Sequence, residues 1–285
     1  MVGIYNKYMS KTVCFTIDVE PDFGGMSTDG TISYFGIDNL LKLHDIVRRY
    51  GIRITAFVTG KTLEDNSQVL DILHSMDAEI EQHSYSHSIG NKSKLKDIEK
   101  GIETHKKIVG RPPLGYRAPQ GKIRKEEIRV LERNNIRFDS SIFPTLFPGR
   151  FNRLSFPVNP FIIEGSSLME LPFSVIPRVR IPIGLSYMQL LGFKTFMLLF
   201  RLCGLPDLII FDFHTYELGR VKSYSHLPLL TKFGYYRAQN MYEDPACIFE
   251  RFIKYLLALN YKSKHMVDLY EDLKPSVKNW SWNGD

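Results

Sequence analysis

The segment "TVCFTIDVEPD" (12–22) joins an apolar run to three acidic side chains. Its first seven residues, 12–18, are mostly β-branched or apolar, as is typical of a strand buried on both faces. Residues two apart in a strand point the same way, so Asp18 and Glu20 are expected to face one space. Two carboxylates in one space are costly to ionise without a cation nearby. A helix cap or a solvated loop remains the alternative for these acids and for Asp22.

The rest of the chain alternates strand-like and helix-like segments. Further strands are predicted at "IRITAFVTG" (52–60), "AEIEQH" (78–83), "LGYRAP" (114–119), "IRFDSSIFP" (136–144), "DLIIFDFH" (207–214) and "KHMVDLY" (264–270). Amphipathic helices are predicted between them, for example at 35–51, 92–110 and 244–260. This rhythm predicts an α/β fold with a parallel sheet. We expect one domain over 1–285, with an irregular apolar insertion at about 144–206.

Bulk properties narrow the choice of partners and location. The formal net charge is +6 and the pI is about 9.0, which mildly favours anionic partners. No nucleic-acid-binding motif accompanies the positive charges, so nucleic acid is not predicted as a partner. The cysteines, Cys14, Cys203 and Cys247, are widely spaced and odd in number, which predicts reduced thiols. Because the first residues lack the apolar core of a signal peptide, a cytoplasmic location is predicted.

Several later strands also end in polar side chains. These side chains are His83 and His87, Arg117, Asp139, and His214. In parallel α/β folds such strand ends carry the chemistry. Two histidines four apart can reach one zinc-sized ion, although two surface histidines in a turn have the same spacing. The glutamate of an H-E-x-x-H motif is absent, because Ser84 occupies its place. Taken alone, His214 is better explained as a buried structural histidine.

Five motifs in order resemble the polysaccharide deacetylases, carbohydrate esterase family 4, with its NodB-like domain. They are "FTIDVE", "HSYSH", "GYRAPQG", "FDSSIFP" and "FDFHTYEL". Their order and separations fit over about residues 12–218, and "MVDLY" (266–270) resembles the closing strand of the family. The resemblance implies a distorted (β/α)7 barrel and metal-dependent hydrolysis of an N-acetyl group on an amino sugar.

The resemblance also implies a role for each matching position. His83 and His87 are expected to bind the metal, which is expected to be zinc. Arg117 is expected to hold the catalytic carboxylate, and Asp139 to orient and tune His214, the general acid. The usual first motif has two adjacent aspartates, whereas this chain has Asp18-Val19-Glu20, as in an acid-x-acid branch of relatives. By position, Asp18 is then the base and Glu20 the third ligand, with Asp22 as the alternative ligand.

The sequence predicts the substrate only as a class of compound. An N-acylated amino sugar, in a polysaccharide or linked to a lipid, agrees with the family. The segment 184–204 is strongly apolar, with its few polar residues on one side of a helical wheel. That pattern is typical of a helix lying on a membrane surface, and equally of a barrel helix with a narrow polar face. Peripheral contact with the inner face of the membrane, deformylation of a lipid-linked phosphosugar, and a non-catalytic carbohydrate-binding relative are therefore kept as alternatives.

Overall fold

The structure is a computed structural model that describes residues 10–25, 32–88, 94–148, 151–220, 232, 236 and 243–282. The strands in these ranges are β1 (Thr12–Val19), β2 (Ile54–Val58), β3 (Glu79–Gln82), β4 (Gly115–Tyr116), β5 (Phe138–Asp139), β6 (Leu146–Phe147), β7 (Phe151–Asn152), β8 (Phe161–Ile163), β9 (Met169–Glu170), β10 (Leu208–His214), β11 (Lys262–Ser263) and β12 (Asn279–Trp280).

Seven of these strands form a parallel path in the order β10-β1-β2-β3-β4-β5-β9. Every residue of β1 and β2 is buried, as the unbroken apolar runs in the sequence predicted. Ser174, four residues beyond β9, joins the two ends of the path. Its backbone N–H donates to Ile210 O at 3.2 Å, and its Oγ accepts from Ile210 N at 2.8 Å. The predicted α/β fold with a parallel sheet is confirmed.

Helices follow most of the parallel strands and cover them. The α-helices are Asn39–Tyr50, Gly60–Asp65, Gln68–Ser75, Lys94–Val109, Lys125–Arg133, Leu185–Leu191, Phe193–Cys203, Pro245–Ala258 and Met266–Leu273. Aromatic side chains fill the layer between sheet and helices: Phe211 lies 4.9 Å from Phe252 and Phe213 lies 4.7 Å from Phe249, between ring centroids. Such ring pairs stabilise a core beyond the area that they bury.

The segment 144–206 is only partly an insertion. It contains the antiparallel hairpin β6–β7 and strand β8, which pairs antiparallel with β9. It also contains β9, which is one of the seven parallel strands, and two of the α-helices. The density of Pro and Gly in its first half marks the hairpin and loops, whereas the strand "ME" at 169–170 is too short to give a sequence signal.

The prediction of a last strand at "KHMVDLY" is wrong. The strand β11 ends at Ser263, and Met266–Leu273 is a helix. The carboxylate of Glu79 accepts the backbone N–H groups of Met266 at 2.7 Å and Val267 at 3.0 Å. It therefore satisfies two of the free N–H groups at the start of this helix, a long-range cap that has no local sequence signal.

The apolar segment 184–204 forms two helices rather than one. Gly192, with φ 85° and ψ 141°, separates Leu185–Leu191 from Phe193–Cys203. Its positive φ is one that glycine adopts without strain. Over the described residues, no helix combines the length and apolar character needed to cross a bilayer.

Candidate active site

The carboxyl ends of the parallel strands bring the predicted site residues together. Asp18, at the end of β1, stands beside His214, at the end of β10, in the parallel register. The backbone N–H of His83, just beyond β3, donates to Val58 O of β2 at 3.1 Å. The N–H of Arg117, just beyond β4, donates to Gln82 O of β3 at 3.0 Å. Since all these strands run in one direction, their terminal side chains meet at one end of the sheet.

Glu20, His83 and His87 form a buried cluster with the donor set of a metal site. One oxygen of Glu20, Oε2, lies 3.0 Å from His83 Nε2 and 2.8 Å from His87 Nε2. One ligand atom from each residue lies within 4.8 Å of the others. Two imidazoles and a carboxylate around one point are the donors of many catalytic zinc sites. These three residues therefore fit a divalent ion.

The backbone around the two histidines is shaped for this cluster. Ser84 (φ 63°) and His87 (φ 59°) adopt left-handed conformations, which are uncommon for residues other than glycine and concentrate at functional sites. Gly24 lies against the His87 ring, where an added Cβ would come within 2.6 Å of Cε1. The carbonyl of Arg117 lies 2.8 Å from His83 Nδ1, so this nitrogen donates to it and the ring is held with its other nitrogen, Nε2, towards Glu20.

The charges of Glu20 and His87 shift each other's pKa. Burial alone would raise the pKa of Glu20, but the charge of His87 and hydrogen bonds from both histidines hold that pKa well below its usual range. Burial lowers the pKa of His87, and the neighbouring Glu20 carboxylate more than reverses this, so the net pKa is raised. A positive charge at this point is thus favoured by the surroundings, as a bound cation requires.

Arg117 ties the cluster to the next group of acids. Its Nη1 lies 2.7 Å from Asp18 Oδ1 and 2.8 Å from Asp212 Oδ1. Its Nε donates to Ser140 O at 3.0 Å, and its Nη2 donates to Thr16 Oγ1 at 2.9 Å. The contact predicted between Arg117 and the catalytic carboxylate is therefore present. The free oxygen of Asp18, Oδ2, remains 3.7 Å from His83 Nε2.

His214 is oriented by Glu217. Its Nδ1 lies 3.1 Å from Glu217 Oε1, while Glu217 Oε2 accepts the His214 backbone N–H at 3.3 Å. The other ring nitrogen, Nε2, lies 3.8 Å from both Asp18 Oδ2 and Glu20 Oε1. Burial lowers the pKa of His214, but the charge and hydrogen bond of Glu217, with Asp212 and Glu20, raise it well above its ordinary value. The acids around His214 therefore favour its protonated form, and its Nε2 faces the cluster.

A second set of donors, Asp18, Asp212 and His214, also has the spacing of a metal site. Arg117 lies between its two carboxylates and already supplies a positive charge. Burial and the charge of Asp18 raise the pKa of Asp212 to about 7, against the lowering effect of Arg117. This set thus lacks the free negative charge that the Glu20 set offers, and the Glu20 set is the better cation site.

Asp22, the alternative ligand, accepts hydrogen bonds within its own loop. Its Oδ2 accepts from Ser33 Oγ at 2.6 Å and from Phe35 N at 2.8 Å, and its Oδ1 accepts from Gly36 N at 2.9 Å. With both oxygens engaged in holding the loop, Asp22 lies outside the cluster. The geometry favours Glu20 as the carboxylate donor.

The predicted pairing of Asp139 with His214 is wrong. Asp139 accepts from Ser141 Oγ at 2.6 Å and lies beside Glu170 of the adjacent strand. Burial, with the charge and hydrogen bond of Asp139, raises the pKa of Glu170 well above its usual range, and burial also raises the pKa of Asp139. Ser141 Oγ also accepts Ala118 N at 2.8 Å, and the acid pair thereby supports the backbone that follows Arg117.

Sequence reasoning missed Asp212, Glu217 and Glu170. Asp212 precedes His214 by two residues on one strand, the same spacing that placed Asp18 and Glu20 on one side, and could have been found by that rule. Glu217 stands three residues after His214, within reach across one turn. Glu170 gave no signal, because its partner Asp139 is distant in sequence and near only through the pairing of β5 with β9.

Known proteins resemble this chain in sequence over part of its length. Residues 6–138 match the family profile described as polysaccharide deacetylase. A curated relative, the "Peptidoglycan deacetylase-like protein FGM2" of Gibberella zeae, is 29% identical over 113 residues. That alignment covers 38% of this chain and 32% of the relative, so the chain spans about a third of the relative's length. The predicted resemblance to this family is confirmed over the matched residues.

Solved structures share the fold at low sequence identity. A Mycobacterium smegmatis protein assigned as a polysaccharide deacetylase superposes with a TM-score of 0.65 and 16% identity, covering 98% of this chain and 96% of that one. A Pseudomonas aeruginosa PAO1 protein with the same assignment gives a TM-score of 0.63 and 14% identity, covering 94% and 92%. At such identities the likeness concerns the fold.

Metal content tests directly whether Glu20 or Asp22 is the carboxylate ligand. Replacing Glu20 by Ala is expected to weaken zinc binding by more than about 100-fold, because it removes the carboxylate between the two histidines. The matched variant Asp22→Asn should retain one zinc per chain. Mass-spectrometric metal analysis after equilibration with buffered zinc measures both. Loss of zinc in Asp22→Asn with retention in Glu20→Ala would contradict the assignment.

Proposed function

We propose that this chain, whose residues 6–138 match the polysaccharide deacetylase family, is a hydrolase that removes an N-acetyl group from an amino sugar. The products are acetate and a free amine. The observation that carries the proposal is the placement of Asp18 and His214 next to each other at the Glu20–His83–His87 cluster. The family match and this arrangement both support a hydrolase of carbon–nitrogen bonds other than peptide bonds.

The reaction requires an activated water and a polarised carbonyl. Glu20, His83 and His87 would hold a divalent ion, which we take to be zinc. When bound, the ion would acidify the water and draw charge from the acyl oxygen. The contribution of the protein is to fix these three donors before the substrate arrives. The hydrogen bond from His83 Nδ1 to Arg117 O and the strained backbone at His87 both serve that purpose.

Asp18 is the proposed general base. Arg117 binds one of its oxygens, Oδ1, and so holds the other, Oδ2, towards the cluster. From there Asp18 accepts the proton of the water as its oxygen bonds to the acyl carbon. A base must be within reach of the proton that it takes, and the guanidinium holds Asp18 in a position that meets this condition.

His214 is the proposed general acid. Its ring Nε2 faces the same space as Asp18 Oδ2, and Glu217 keeps the ring protonated. When the bond between the acyl carbon and the nitrogen breaks, His214 donates its proton to the nitrogen. This donation is needed because an unprotonated amine would have to leave as an anion, which is a poor leaving group. The proton taken by Asp18 and the proton given by His214 balance the hydrolysis.

Two alternatives to this proposal differ in the residues that they require. Loss of a formyl group proceeds by the same steps, so deformylation of a lipid-linked phosphosugar is compatible with the site. A non-catalytic carbohydrate-binding relative is expected to lack a ligand, the base or the acid. Because this chain has a suitable side chain at each of these positions, the catalytic proposal is preferred.

Replacing Asp18 by Asn tests the base. The amide cannot accept the proton, and we expect acetate release from N-acetylated amino sugars to fall by about 100-fold or more. Zinc content should be unchanged, since Asp18 is outside the three donors. Enzymatic measurement of acetate, alongside metal analysis of the same sample, gives both values. If the metal-replete Asp18→Asn variant turned over substrate at the wild-type rate, the role of Asp18 would be refuted.

Replacing Glu217 by Gln tests the acid. Glutamine retains hydrogen-bonding capacity but removes the charge that raises the pKa of His214. With a lower pKa, His214 loses its proton at lower pH, so the alkaline limb of the kcat/KM profile is expected to move to lower pH. The acid limb should move little. An alkaline limb that stays where the wild type has it would contradict the pairing of Glu217 with His214.

We also propose that helix Phe193–Cys203 rests on an anionic membrane surface. Between Glu170 and Asp207 the chain has no acidic residue, but it has four basic ones: Arg178, Arg180, Lys194 and Arg201. Leu198 and Leu202, one turn apart on this helix, are 55% and 64% exposed. Exposed leucines beside basic side chains are the composition of an interfacial helix. This contact agrees with a lipid-linked substrate at the cytoplasmic face, and that location stays a prediction.

Vesicle binding tests this surface. Co-sedimentation with vesicles containing phosphatidylglycerol should exceed that with phosphatidylcholine alone. The double variant Leu198→Gln/Leu202→Gln should reduce partitioning by about tenfold, because two apolar side chains are lost from the contact. Leu41→Gln, which alters a leucine 59% exposed on another helix, is the matched control and should bind like the wild type. Equal binding by all three proteins would exclude this surface.

A further inference from the structure

The two histidines of the cluster are the ends of one short loop, 83–87. Within it, Ser84 adopts a left-handed conformation, with φ 63°, and its Oγ accepts the backbone N–H of His87 at 3.1 Å. Backbone conformations of this kind persist only where the surrounding structure holds them. The placement of one imidazole relative to the other therefore depends on what holds the three residues between them.

The carboxylate of Asp97 binds the middle of this loop. Its Oδ2 accepts the backbone N–H of Tyr85 at 3.2 Å, and both of its oxygens accept the backbone N–H of Ser86 at 3.2 Å. Its Oδ1 also accepts from Ser86 Oγ at 2.6 Å. Asp97 is 9% exposed and lies in the first turn of helix Lys94–Val109, where the helix dipole favours a negative charge. Hydrogen bonds to an ionised acceptor are about twice as strong as those between neutral groups.

A glycine lets this helix approach the loop closely enough for these bonds to form. Gly101 stands one turn after Asp97 on the same side of the helix. A Cβ at this position would overlap Gln82 Nε2, and it would come within 2.7 Å of the Ser84 carbonyl carbon and 2.8 Å of Tyr85 N. Any larger residue would therefore push the helix away from the loop, and the Asp97 carboxylate would move with it.

The opposite side of the loop is bound by the start of the helix that follows β2. The backbone N–H of Gly60 donates to Ser84 O at 3.0 Å, and that of Lys61 donates to Tyr85 O at 2.8 Å. The carbonyl groups of the loop are thus bound by one helix, and its N–H groups are bound by Asp97 from another. Because the two sets of bonds lie on different groups, the first set cannot replace the second when Asp97 is lost.

We propose that Asp97 is a positioning residue that fixes His83 and His87 for the divalent ion. The proposal rests on the metal site of the proposed function. Asp97 acts through the peptide groups of Tyr85 and Ser86, which lie between the two ligands in the chain. By holding these groups before the ion arrives, it reduces the loop ordering that must accompany binding. Groups that orient metal ligands contribute about 10- to 100-fold to metal affinity.

Zinc affinity tests this role without any substrate. Competition with a chromophoric chelator should show binding weakened by about tenfold in Asp97→Asn and by about 100-fold in Asp97→Ala, because Asn retains one acceptor oxygen and Ala retains none. The matched control Glu99→Gln removes an equal charge from an exposed position of the same helix and should bind zinc like the wild type. Wild-type affinity in both Asp97 variants, or an equal loss in Glu99→Gln, would overturn the proposal.

Thermal unfolding of the metal-free proteins separates positioning from a contribution to stability alone. A residue that only stabilises its own helix would lower the unfolding temperature and leave the zinc affinity of the folded protein unchanged, and that result would overturn the proposal. If the Asp97 variants do not fold, Ser86→Ala replaces them, since it removes only a hydroxyl from an exposed residue. This variant should bind zinc about threefold more weakly, and wild-type affinity would again overturn the proposal.

The same measurements distinguish this proposal from the proposed function. If the wild type binds zinc but releases no acetate, the hydrolysis fails, and weaker binding by the Asp97 variants still supports the positioning role. If the wild type binds no zinc, the metal site and the positioning role fail together. If the wild type binds zinc and releases acetate while the Asp97 variants bind zinc equally well, only the positioning role fails.

Discussion

The buried guanidinium of Arg117 is the interaction on which the site depends. It contacts residues of four elements: Asp18 and Thr16 on β1, Asp212 on β10, Ser140 after β5 and the Phe57 ring on β2. A buried cation is tolerated only where acids and hydrogen-bond acceptors surround it. Those acids in turn can be buried because the cation is present. Removing Arg117 would leave two carboxylates close together in a dry space, so the residue holds both the strand ends and the charge balance.

The same balance explains the division of roles among the acids. Asp18 and Asp212 are compensated by Arg117, and Glu217 is compensated by His214. Glu20 faces His83 and His87 at hydrogen-bond distance and His214 at 3.8 Å. Burial raises the pKa of both Asp139 and Glu170, which lie side by side on β5 and β9. The carboxylates of the site thus differ in the groups that surround them.

Much of the fold could be predicted from local patterns, and the failures have one physical cause. The apolar runs predicted β1 and β10 closely, and the spacing of Asp18, His83 and His214 at strand ends predicted which residues meet. The helix at Met266–Leu273 was mistaken for a strand because Glu79, far away in sequence, satisfies its first N–H groups. The partner of His214 was misassigned because the family pattern pointed to Asp139, whereas Glu217 is three residues away and meets the ring directly. Contacts made across the sheet leave no pattern in the local sequence from which they could be predicted.

The central claim is that the Glu20–His83–His87 cluster holds a divalent ion and that the neighbouring residues hydrolyse an N-acyl amide. Mass spectrometry of N-acetylated amino sugars, incubated with the wild-type protein and with His87→Ala, tests it most directly. We expect the wild-type protein to remove one acetyl group, a loss of about 42 mass units, only when zinc is present. The His87→Ala protein should bind little zinc and leave the substrate intact. Equal deacetylation by His87→Ala, or by the wild type stripped of metal, would contradict the account.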